Sequence, residues 1–510
     1  MPLLVISLLG FSLMIATGLA ALARIPGLHF DEAWAANYAY RILTEKGFWP
    51  LDAMSPYTHP WAHYWTAGFF RLFGVNLFVY RAAGLSMCVL GAFLAWVTLV
   101  RIGERKAAMI LPYLLALFVP FVLNERLCLE ITTFHIFCLG LLMFGAQIHS
   151  RLLSTLVVFS AVILGITSHI LFVAPVLGLL AVWGLQSGRW QWTHRLLVFL
   201  AGLSLFPFLW HVYRAIPEKD KAILLVIADC MLIGTVLFFE QMPRVIRRMR
   251  ENIQWLVAAL VIPFCFYLAV FSEGHWSVLF SQGRIMAPWV LYFSIPFTVG
   301  ALIFLVRVYA RQKWTHSQER FWSWILFTLF WLGVLAVKPA PRYFAMGFFL
   351  IALGGAVLLG QIGRIRASRF LIPFGFVSAL ILVVNVWIPG THGEQVDRSF
   401  RFLFFKDNSS DSLPKQDLVR YLGGKGCSPS QVTTGDPRLA ETLKFLSHGD
   451  WPVTSGVSCP SPRVEVSRLA EAPVQPVGRI ERFEQFQIVW KSPRDVSEIA
   501  NAARLPLEFN

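Results

Sequence analysis

Uncharged apolar runs recur along most of this chain, and each is about twenty residues long, the length at which a helix spans the core of a bilayer. The run 152–185 would form an unbroken helix of about 50 Å, too long for one crossing, so we divide it at Thr167-Ser168-His169. The pattern predicts thirteen transmembrane helices, at residues 3–22, 82–100, 107–123, 131–148, 152–167, 169–185, 195–213, 222–241, 254–272, 289–306, 321–337, 344–362 and 370–388.

The basic residues of the short loops support this topology. Six alternate loops hold 17 Lys and Arg residues, whereas the short loops on the opposite side hold 7. Loops rich in Lys and Arg stay on the cytoplasmic side of a membrane. We therefore place the N-terminus in the cytoplasm and the C-terminus outside it.

The first apolar run allows a second interpretation. Residues 1–23 end in the small-residue sequence Ala20-Ala21-Leu22-Ala23, as a cleaved signal peptide would. However, no positively charged segment precedes the run, and the run is long for a signal peptide. We favour a retained first helix.

The loop that follows this run, residues 24–81 on the outer face, contains two helix-like stretches, Asp31–Glu45 and Pro60–Phe73. Aromatic residues recur at helical spacing in the second stretch. An aromatic-rich amphipathic helix is typical of the membrane interface. A helix packed on the transmembrane bundle fits the pattern equally well, and both interpretations place the segment at the outer membrane surface.

The chain ends in a region with the composition of a soluble protein. We predict an all-α polytopic membrane domain at 1–389, which includes the outer loop 24–81, and a small extracytoplasmic α/β domain at 390–510. The predicted helices of the α/β domain are Lys415–Leu422 and Pro437–Ser447, and its predicted strands are Gln431–Thr434, Pro452–Thr454 and Phe486–Trp490. Cys427 and Cys459 are the only cysteines outside the membrane region, and the topology places them in an oxidising compartment, so we expect a disulfide between them.

Composition excludes a soluble globular protein. Of the 510 residues, 56% are hydrophobic and only 14% are charged, and the mean hydropathy is +0.61. Soluble domains carry about 25% charged residues. The net charge of +15 lies largely in the cytoplasmic loops, which face anionic membrane lipids, and no clustered basic face indicates a nucleic-acid partner.

Polar residues gather at the outer ends of the predicted helices, whereas the membrane interior is almost free of charge. Asp229 is the one clear charge within a predicted span, while ion-coupled transport usually places ionisable groups there. The outer group consists of His29, Asp31, Glu32, His59, His63, Glu125, Arg126, Glu130, His135, His169, His211, His275, Arg284, Lys338 and Arg342. Acids, bases and imidazoles on one membrane face predict an extracytoplasmic active site.

Several motifs in this outer group resemble those of a known family. They are Phe30-Asp31-Glu32-Ala33-Trp34, the aromatic stretch from Tyr57 to Trp65, Glu125-Arg126-Leu127-Cys128-Leu129-Glu130, and Pro341-Arg342-Tyr343-Phe344. Together they resemble the GT-C fold glycosyltransferases, in particular the family that includes protein O-mannosyltransferases and the lipid A aminoarabinose transferase. Thirteen spans with an outer C-terminal domain is also an architecture of that group.

This resemblance implies an activity and a location. It implies transfer of a sugar from a polyprenyl-phosphate donor to a lipid, glycan or protein acceptor on the outer face of a bacterial-type inner membrane. The chain departs from the family at two places. His59-Pro60-Trp61 stands where the family often has Lys-Pro-Pro, and His169 lies near a position where it often has Lys. Both family positions contact donor phosphate, so we expect this chain to handle its donor differently.

The chemistry of sugar transfer assigns roles to the matching residues. Displacement at the anomeric carbon needs a base for the acceptor proton and positive groups for the departing phosphate. We predict that Asp31 is the base, assisted by Glu32 or Glu130. The predicted donor- and phosphate-binding residues are His59, His63, Arg126, His169, Arg284, Lys338, Arg342 and Tyr343. We expect Arg126 and Arg342 to line one cavity.

A divalent metal is a further candidate cofactor. The outer group includes usable ligands for one, namely Asp31, Glu130, His59, His63 and His169. No tight ligand spacing joins these residues, so the sequence assigns no metal.

Other interpretations of the same residues stay open. Asp31 is also suited to cap the helix that follows it, with Glu32 in the first turn. A transporter or lipid flippase is the main alternative function, and it predicts broken or charged helices at the membrane midplane and repeated halves. Asp229 and scattered prolines give it modest support, but no repeat is evident. A non-catalytic assembly or sensor protein is a third interpretation.

Overall fold

A computed structural model describes only part of the chain. The described residues are 2–20, 22–23, 28–48, 60–179, 324–325, 328–329, 332, 345–361, 415–434, 436–452, 459–460, 463–468, 479–483 and 486–491. The predicted spans between 195 and 306, the span 370–388 and most of 321–337 lie outside them. The predicted domain boundary at 389/390 also lies outside them and stays a prediction.

Helices dominate the described residues. They are α1 (Pro2–Leu19), α2 (Phe30–Thr44), α3 (Trp61–Phe73), α4 (Leu77–Arg101), α5 (Arg105–Leu117), α6 (Val119–Glu125), α7 (His135–Gly145), α8 (Arg151–Ser168), α9 (Ala345–Gln361), α10 (Lys415–Gly424) and α11 (Pro437–Ser447). A π-helical turn, Glu130–Phe134, precedes α7, and short 3-10 turns lie at Ile170–Phe172 and Pro429–Gln431. The strands are β1 (Val432–Thr433), β2 (Arg463–Arg468), β3 (Arg479–Phe483) and β4 (Phe486–Lys491).

The chain divides into two compact units. The first unit comprises Met1–Ala20, Trp49–Ala62 and Gly84–Lys406, and the second comprises Ala21–Phe48, His63–Ala83 and Asp407–Asn510. The second unit therefore combines most of the predicted outer loop with the C-terminal segment.

Apolar helices pack against one another in the first unit. Helices α1 and α9 both pack against α5, and α7 packs against α8. A Cβ on Gly140 would overlap the backbone of Gly91, and a Cβ on Gly91 would overlap that of Ile136, so α4 and α7 meet backbone to backbone. Small residues that allow such close approach are typical of helix packing within membranes.

Several predicted spans coincide with described helices. Helices α1, α4, α8 and α9 correspond to the predicted spans 3–22, 82–100, 152–167 and 344–362. The division of the run 152–185 is confirmed, since α8 ends at Ser168. Among the described residues, only α4 is both long and apolar enough to cross a membrane, with 25 residues.

The predicted single helix 107–123 is wrong, because the chain breaks there into α5 and α6. The break lies at Phe118, whose backbone is extended, with φ −80° and ψ 94°. Pro120 explains it, since in a continuous helix proline has no backbone N–H to donate to the Ala116 carbonyl and its ring would clash with that carbonyl.

Helix α3 has two different faces. His63, Thr66 and Phe70 are buried, whereas Tyr64 and Leu72 are 46% and 74% exposed. The sequence left open whether this helix packs on protein or lies at the membrane interface. Its buried face packs on protein, and its exposed aromatic face has the character of an interfacial helix.

The second unit contains a four-stranded sheet with the order β1-β2-β4-β3. β1 is parallel to β2, whereas β2 and β3 are both antiparallel to β4. Helices α10 and α11 confirm both predicted C-terminal helices, and β1 and β4 confirm two predicted strands. β2 and β3 were not predicted, and the predicted strand 452–454 lies largely outside the described residues.

Candidate functional site

The Asp31–Glu32 pair lies in the first turn of α2, and His29 caps the N-terminus of this helix. The His29 Nδ1 accepts a hydrogen bond from the Asp31 backbone N–H at 3.1 Å, and the Glu32 carboxylate accepts one from the His29 backbone N–H at 3.3 Å. His29 therefore holds the capping position that is usually taken by Ser, Thr, Asp or Asn. The interpretation of Asp31 as the helix cap is wrong.

The Glu32 carboxylate is held by the guanidinium of Arg81. The Arg81 Nε donates to Glu32 Oε1 at 3.0 Å and its Nη2 donates to Oε2 at 2.6 Å, while its Nη1 donates to the Leu22 carbonyl at 2.9 Å. Both charged side chains are fully buried. The forked geometry is the one that guanidinium and carboxylate groups favour, and it occupies both Glu32 oxygens.

Asp31 has the opposite environment to its neighbour. Its side chain is 41% exposed, and its Oδ2 lies 3.5 Å from the His29 Nδ1. The anchored Glu32 and the helix cap fix the backbone on both sides of Asp31, while its carboxylate stays open to solvent. An exposed carboxylate on a rigid backbone can accept a proton from a ligand at the surface.

His63 packs against the same helix from α3. Its ring lies 5.1 Å from the Tyr38 ring, and the residue is buried. Tyr38 also contacts Trp34 and Phe48, at 5.7 and 5.2 Å between ring centroids. His63 is therefore part of a packed aromatic cluster that supports α2.

Arg126 is a buried cation of the first unit. It follows directly after α6 and donates from Nη2 to the Thr17 carbonyl at 2.6 Å. The adjacent Glu125 is also fully buried, and its carboxylate has no hydrogen-bond partner among the described residues. A buried carboxylate and a buried guanidinium thus lie next to each other along the chain.

Two further predicted site residues of the first unit lie at irregular helix ends. Glu130 is buried and begins the π-helical turn. His169 follows the last residue of α8, and its Nδ1 accepts a hydrogen bond from the Leu171 N–H at 3.3 Å. Its ring lies 6.1 Å from that of the buried His135. π-Helical turns are frequent at functional sites.

The structure therefore groups only some of the predicted site residues. Asp31 and Glu32 lie together, and His63 packs on the same helix. His59, Arg284, Lys338, Arg342 and Tyr343 lie outside the described residues. Across the parts of the chain that the structure covers, no three His, Cys, Asp or Glu side chains are placed to hold a metal ion.

Arg81 is the site residue that sequence reasoning missed. The signal was an arginine at the edge of an apolar run, where a cation has to find a partner once it is buried. In the predicted topology, Arg81 is the last residue of the outer loop 24–81. Its partner became evident only with the fold.

Known proteins are similar to this chain in structure but not in sequence. No family model and no curated protein matches it. The crystal structure of ArnT from Cupriavidus metallidurans bound to undecaprenyl phosphate is similar to it, with a TM-score of 0.56 and 14% sequence identity, over 94% of this chain and 97% of that one. Apo ArnT from the same organism has a TM-score of 0.54 and 13% identity, over 94% and 96%. The resemblance to the GT-C group, to which ArnT belongs, is confirmed at the level of the fold.

Proposed function

We propose that this protein is a membrane glycosyltransferase that moves a sugar from a polyprenyl-phosphate donor to an acceptor on the extracytoplasmic face. The observation that carries the proposal is a partly exposed Asp31 carboxylate directly beside a Glu32 that is held by Arg81. The similarity of the fold to that of ArnT supports it. ArnT has been crystallised with undecaprenyl phosphate, which is the kind of lipid that the donor would contain.

The proposed reaction is a displacement at the anomeric carbon of the sugar. The acceptor hydroxyl oxygen attacks this carbon, and its proton passes to the Asp31 carboxylate. The bond from the anomeric carbon to the phosphate oxygen breaks, and its electron pair leaves on the polyprenyl phosphate. A positioned base typically contributes 10²–10⁴-fold to such a step.

Glu32 serves this reaction by holding Asp31 in place. Both of its oxygens accept hydrogen bonds from Arg81, so Glu32 could take the acceptor proton only if the ion pair broke. Two carboxylates were predicted to assist the base, Glu32 and Glu130. Because Glu32 is engaged by Arg81, we assign the assisting role to Glu130.

The leaving phosphate needs positive charge and hydrogen-bond donors. Arg126 is the described candidate, since a guanidinium binds phosphate through two parallel N–H donors. Donor binding also involves His59, His63, His169, Arg284, Lys338, Arg342 and Tyr343 in this proposal.

The proposed setting is the inner membrane of a bacterial-type cell, with the N-terminus inside and the C-terminal segment outside. The disulfide between Cys427 and Cys459 supports that side for the C-terminal segment, since disulfides persist in oxidising compartments. The acceptor is a lipid, a glycan or a protein that reaches the outer face.

Transfer assays on the purified protein test this function. The full chain in nanodiscs is incubated with radiolabelled undecaprenyl-phosphate sugars and with membrane extracts as acceptors, and labelled product and released sugar are both measured. We expect transfer or slow hydrolysis by the wild type and almost none by Asp31→Asn. Glu45→Gln is the matched control, because Glu45 pairs with Arg41 on the exposed end of the same helix. Equal turnover by wild type and Asp31→Asn would overturn the assigned role of Asp31.

A further inference from the structure

The C-terminal segment of the second unit contacts the helix that carries Asp31. The Asn37 amide of α2 donates to the backbone carbonyl of Glu441 at 2.9 Å and to its Oε2 at 2.8 Å. Asn37 is buried, and Glu441 belongs to α11. The Asn37 side chain of α2 thus hydrogen-bonds to both the backbone and the side chain of Glu441 in α11.

A second contact reaches the residue just before the cap of α2. The Lys415 ammonium is fully buried and lies 3.4 Å from the Leu28 carbonyl and 3.5 Å from the Thr442 Oγ1. A buried ammonium is costly unless hydrogen bonds hold it, so its acceptors are fixed in place. Leu28 directly precedes His29, and Lys415 therefore ties α10 to the start of the Asp31 turn.

A third contact reaches the helix that carries Arg81. The Asp450 Oδ2 accepts a hydrogen bond at 2.8 Å from the N–H of Leu77, the first residue of α4. The N–H groups of a first helical turn have no partner within the helix, and a carboxylate there also meets the positive end of the helix dipole. The Trp451 Nε1 donates to the Cys427 carbonyl at 2.8 Å, which connects this cap to the disulfide.

Aromatic packing adds to these polar contacts. The Phe445 ring of α11 lies 6.3 Å from Phe70 of α3 and 5.9 Å from Tyr80 of α4. The Tyr40 ring of α2 stacks on His448 at 3.9 Å. The segment from Lys415 to Trp451 therefore touches α2, α3 and α4, the three helices that together hold the Glu32–Arg81 pair and its surroundings.

We propose that the C-terminal segment is a positioning element for Asp31, and that the contact between Asn37 and Glu441 sets the placement of α2. The proposal rests on the proposed function for the role of Asp31. Asn37 lies six residues after Asp31, about 9 Å along one helix at 1.5 Å per residue, so a shift at Asn37 moves the Asp31 carboxylate with it. A displacement of about 1 Å at a reacting group costs about a hundredfold in rate.

Variants that remove the donor from the Asn37–Glu441 hydrogen bond, or move it to the other side, test this role. Asn37→Asp places a carboxylate against the Glu441 oxygens, and we expect kcat for the radiolabelled undecaprenyl-phosphate sugar to fall about ten- to a hundredfold with little change in KM. Asn37→Asp combined with Glu441→Gln restores a donor to the pair, and we expect it to recover part of the lost kcat. Glu441→Gln alone keeps an acceptor for Asn37 and should stay near wild type. Ser447→Ala on the same helix is the control, since its hydroxyl bonds only locally to Lys444 among the contacts seen.

Hydrogen exchange separates this proposal from the proposed function. Mass spectrometry of the full chain should show faster amide exchange across 28–45 in Asn37→Asp and recovery in the double variant. Faster exchange with unchanged kcat would overturn the proposal, because the contact would then be structural only. Unchanged exchange would overturn it as well. If the wild type shows no turnover with any undecaprenyl-phosphate sugar, the proposed function fails, and the exchange data alone decide whether the C-terminal segment holds α2.

Discussion

The Arg81 guanidinium grips the Glu32 carboxylate through two hydrogen bonds, at 3.0 and 2.6 Å, with both side chains closed to solvent. These residues are 49 positions apart in the chain. The pair joins the start of α2 to the first turns of α4, and the neighbouring Asp31 carboxylate stays partly exposed. Neighbouring acids in the sequence thus have different environments in the fold.

Breaking this ion pair should destabilise the second unit. Arg81→Met leaves a buried Glu32 charge without its partner, a change that typically costs about 3–5 kcal/mol. We expect a lower melting temperature in detergent, measured by fluorescence-detected size exclusion. The double variant Glu32→Leu with Arg81→Met removes both charges and should recover much of the loss. A single variant as stable as the wild type would contradict a buried, paired Glu32.

Replacing Asp31 with Asn should abolish transfer without unfolding the protein. Asparagine keeps the size of the side chain but cannot take the acceptor proton, so we expect a loss of about 10²–10⁴-fold in kcat. The helix cap is supplied by His29 and stays in place. Expression and melting temperature, measured beside the transfer rate, should match the wild type.

Removing the disulfide should loosen the C-terminal segment. Cys427 and Cys459 are 32 positions apart, and a loop of that length contributes about 3–4 kcal/mol in the chain-entropy account. Cys427→Ser with Cys459→Ser should therefore lower the melting temperature and speed the exchange of α10 and α11. Peptide mapping under non-reducing conditions gives the pairing directly. Two free thiols in the wild type would contradict the bridge.

The carboxyl group of Asp450 should make stability depend on pH. Burial raises the pKa of Asp450, while the Leu77 N–H and the Arg420 and Arg81 charges act in the lowering direction. The folded state therefore keeps this proton to a higher pH than the unfolded chain does. Stability from this group is complete below the ordinary carboxyl pKa and is lost as the pH rises through the raised value.

Asp450→Asn tests that dependence. The amide oxygen can still accept from Leu77, but nothing titrates at this position. We expect the melting temperature of the variant, relative to wild type, to rise as the pH goes from about 4 to about 8. A difference that stays constant across this range would show that the burial of Asp450 has no such effect.

Arg126→Lys should weaken binding of the lipid phosphate. Lysine keeps the positive charge but lacks the two parallel N–H donors of the guanidinium. One hydrogen bond to a charged group contributes about 1.5–3 kcal/mol, so its loss corresponds to at least a tenfold weaker Kd. Titration of nanodisc samples with undecaprenyl phosphate measures this change. Arg101→Lys, in a loop predicted to be cytoplasmic, is the control, and equal weakening by both variants would argue against a role of Arg126 in phosphate binding.

Periodic features were predictable because they depend on neighbours in the chain. The 3.6-residue spacing of apolar positions placed α2, α3 and α11 within about one residue of their observed ends. Polar and apolar residues also alternate along Arg463–Arg468, and Val464 and Val466 are buried. This run was too short and too polar to be recognised as a strand. The disulfide was predictable because only two cysteines lay outside the membrane region.

The sequence by itself thus determined α2, α3 and α11 and the motif that marks Asp31 and Glu32. Only the tertiary structure decided that Glu32 is the buried, anchored acid and Asp31 the exposed one. It also decided that His29, not Asp31, caps α2. The physical reason is that hydrophobic periodicity reports on residues three or four apart, whereas the partner of a buried charge is chosen by distance in space. Arg81 became that partner because folding brings the first turns of α2 and α4 together.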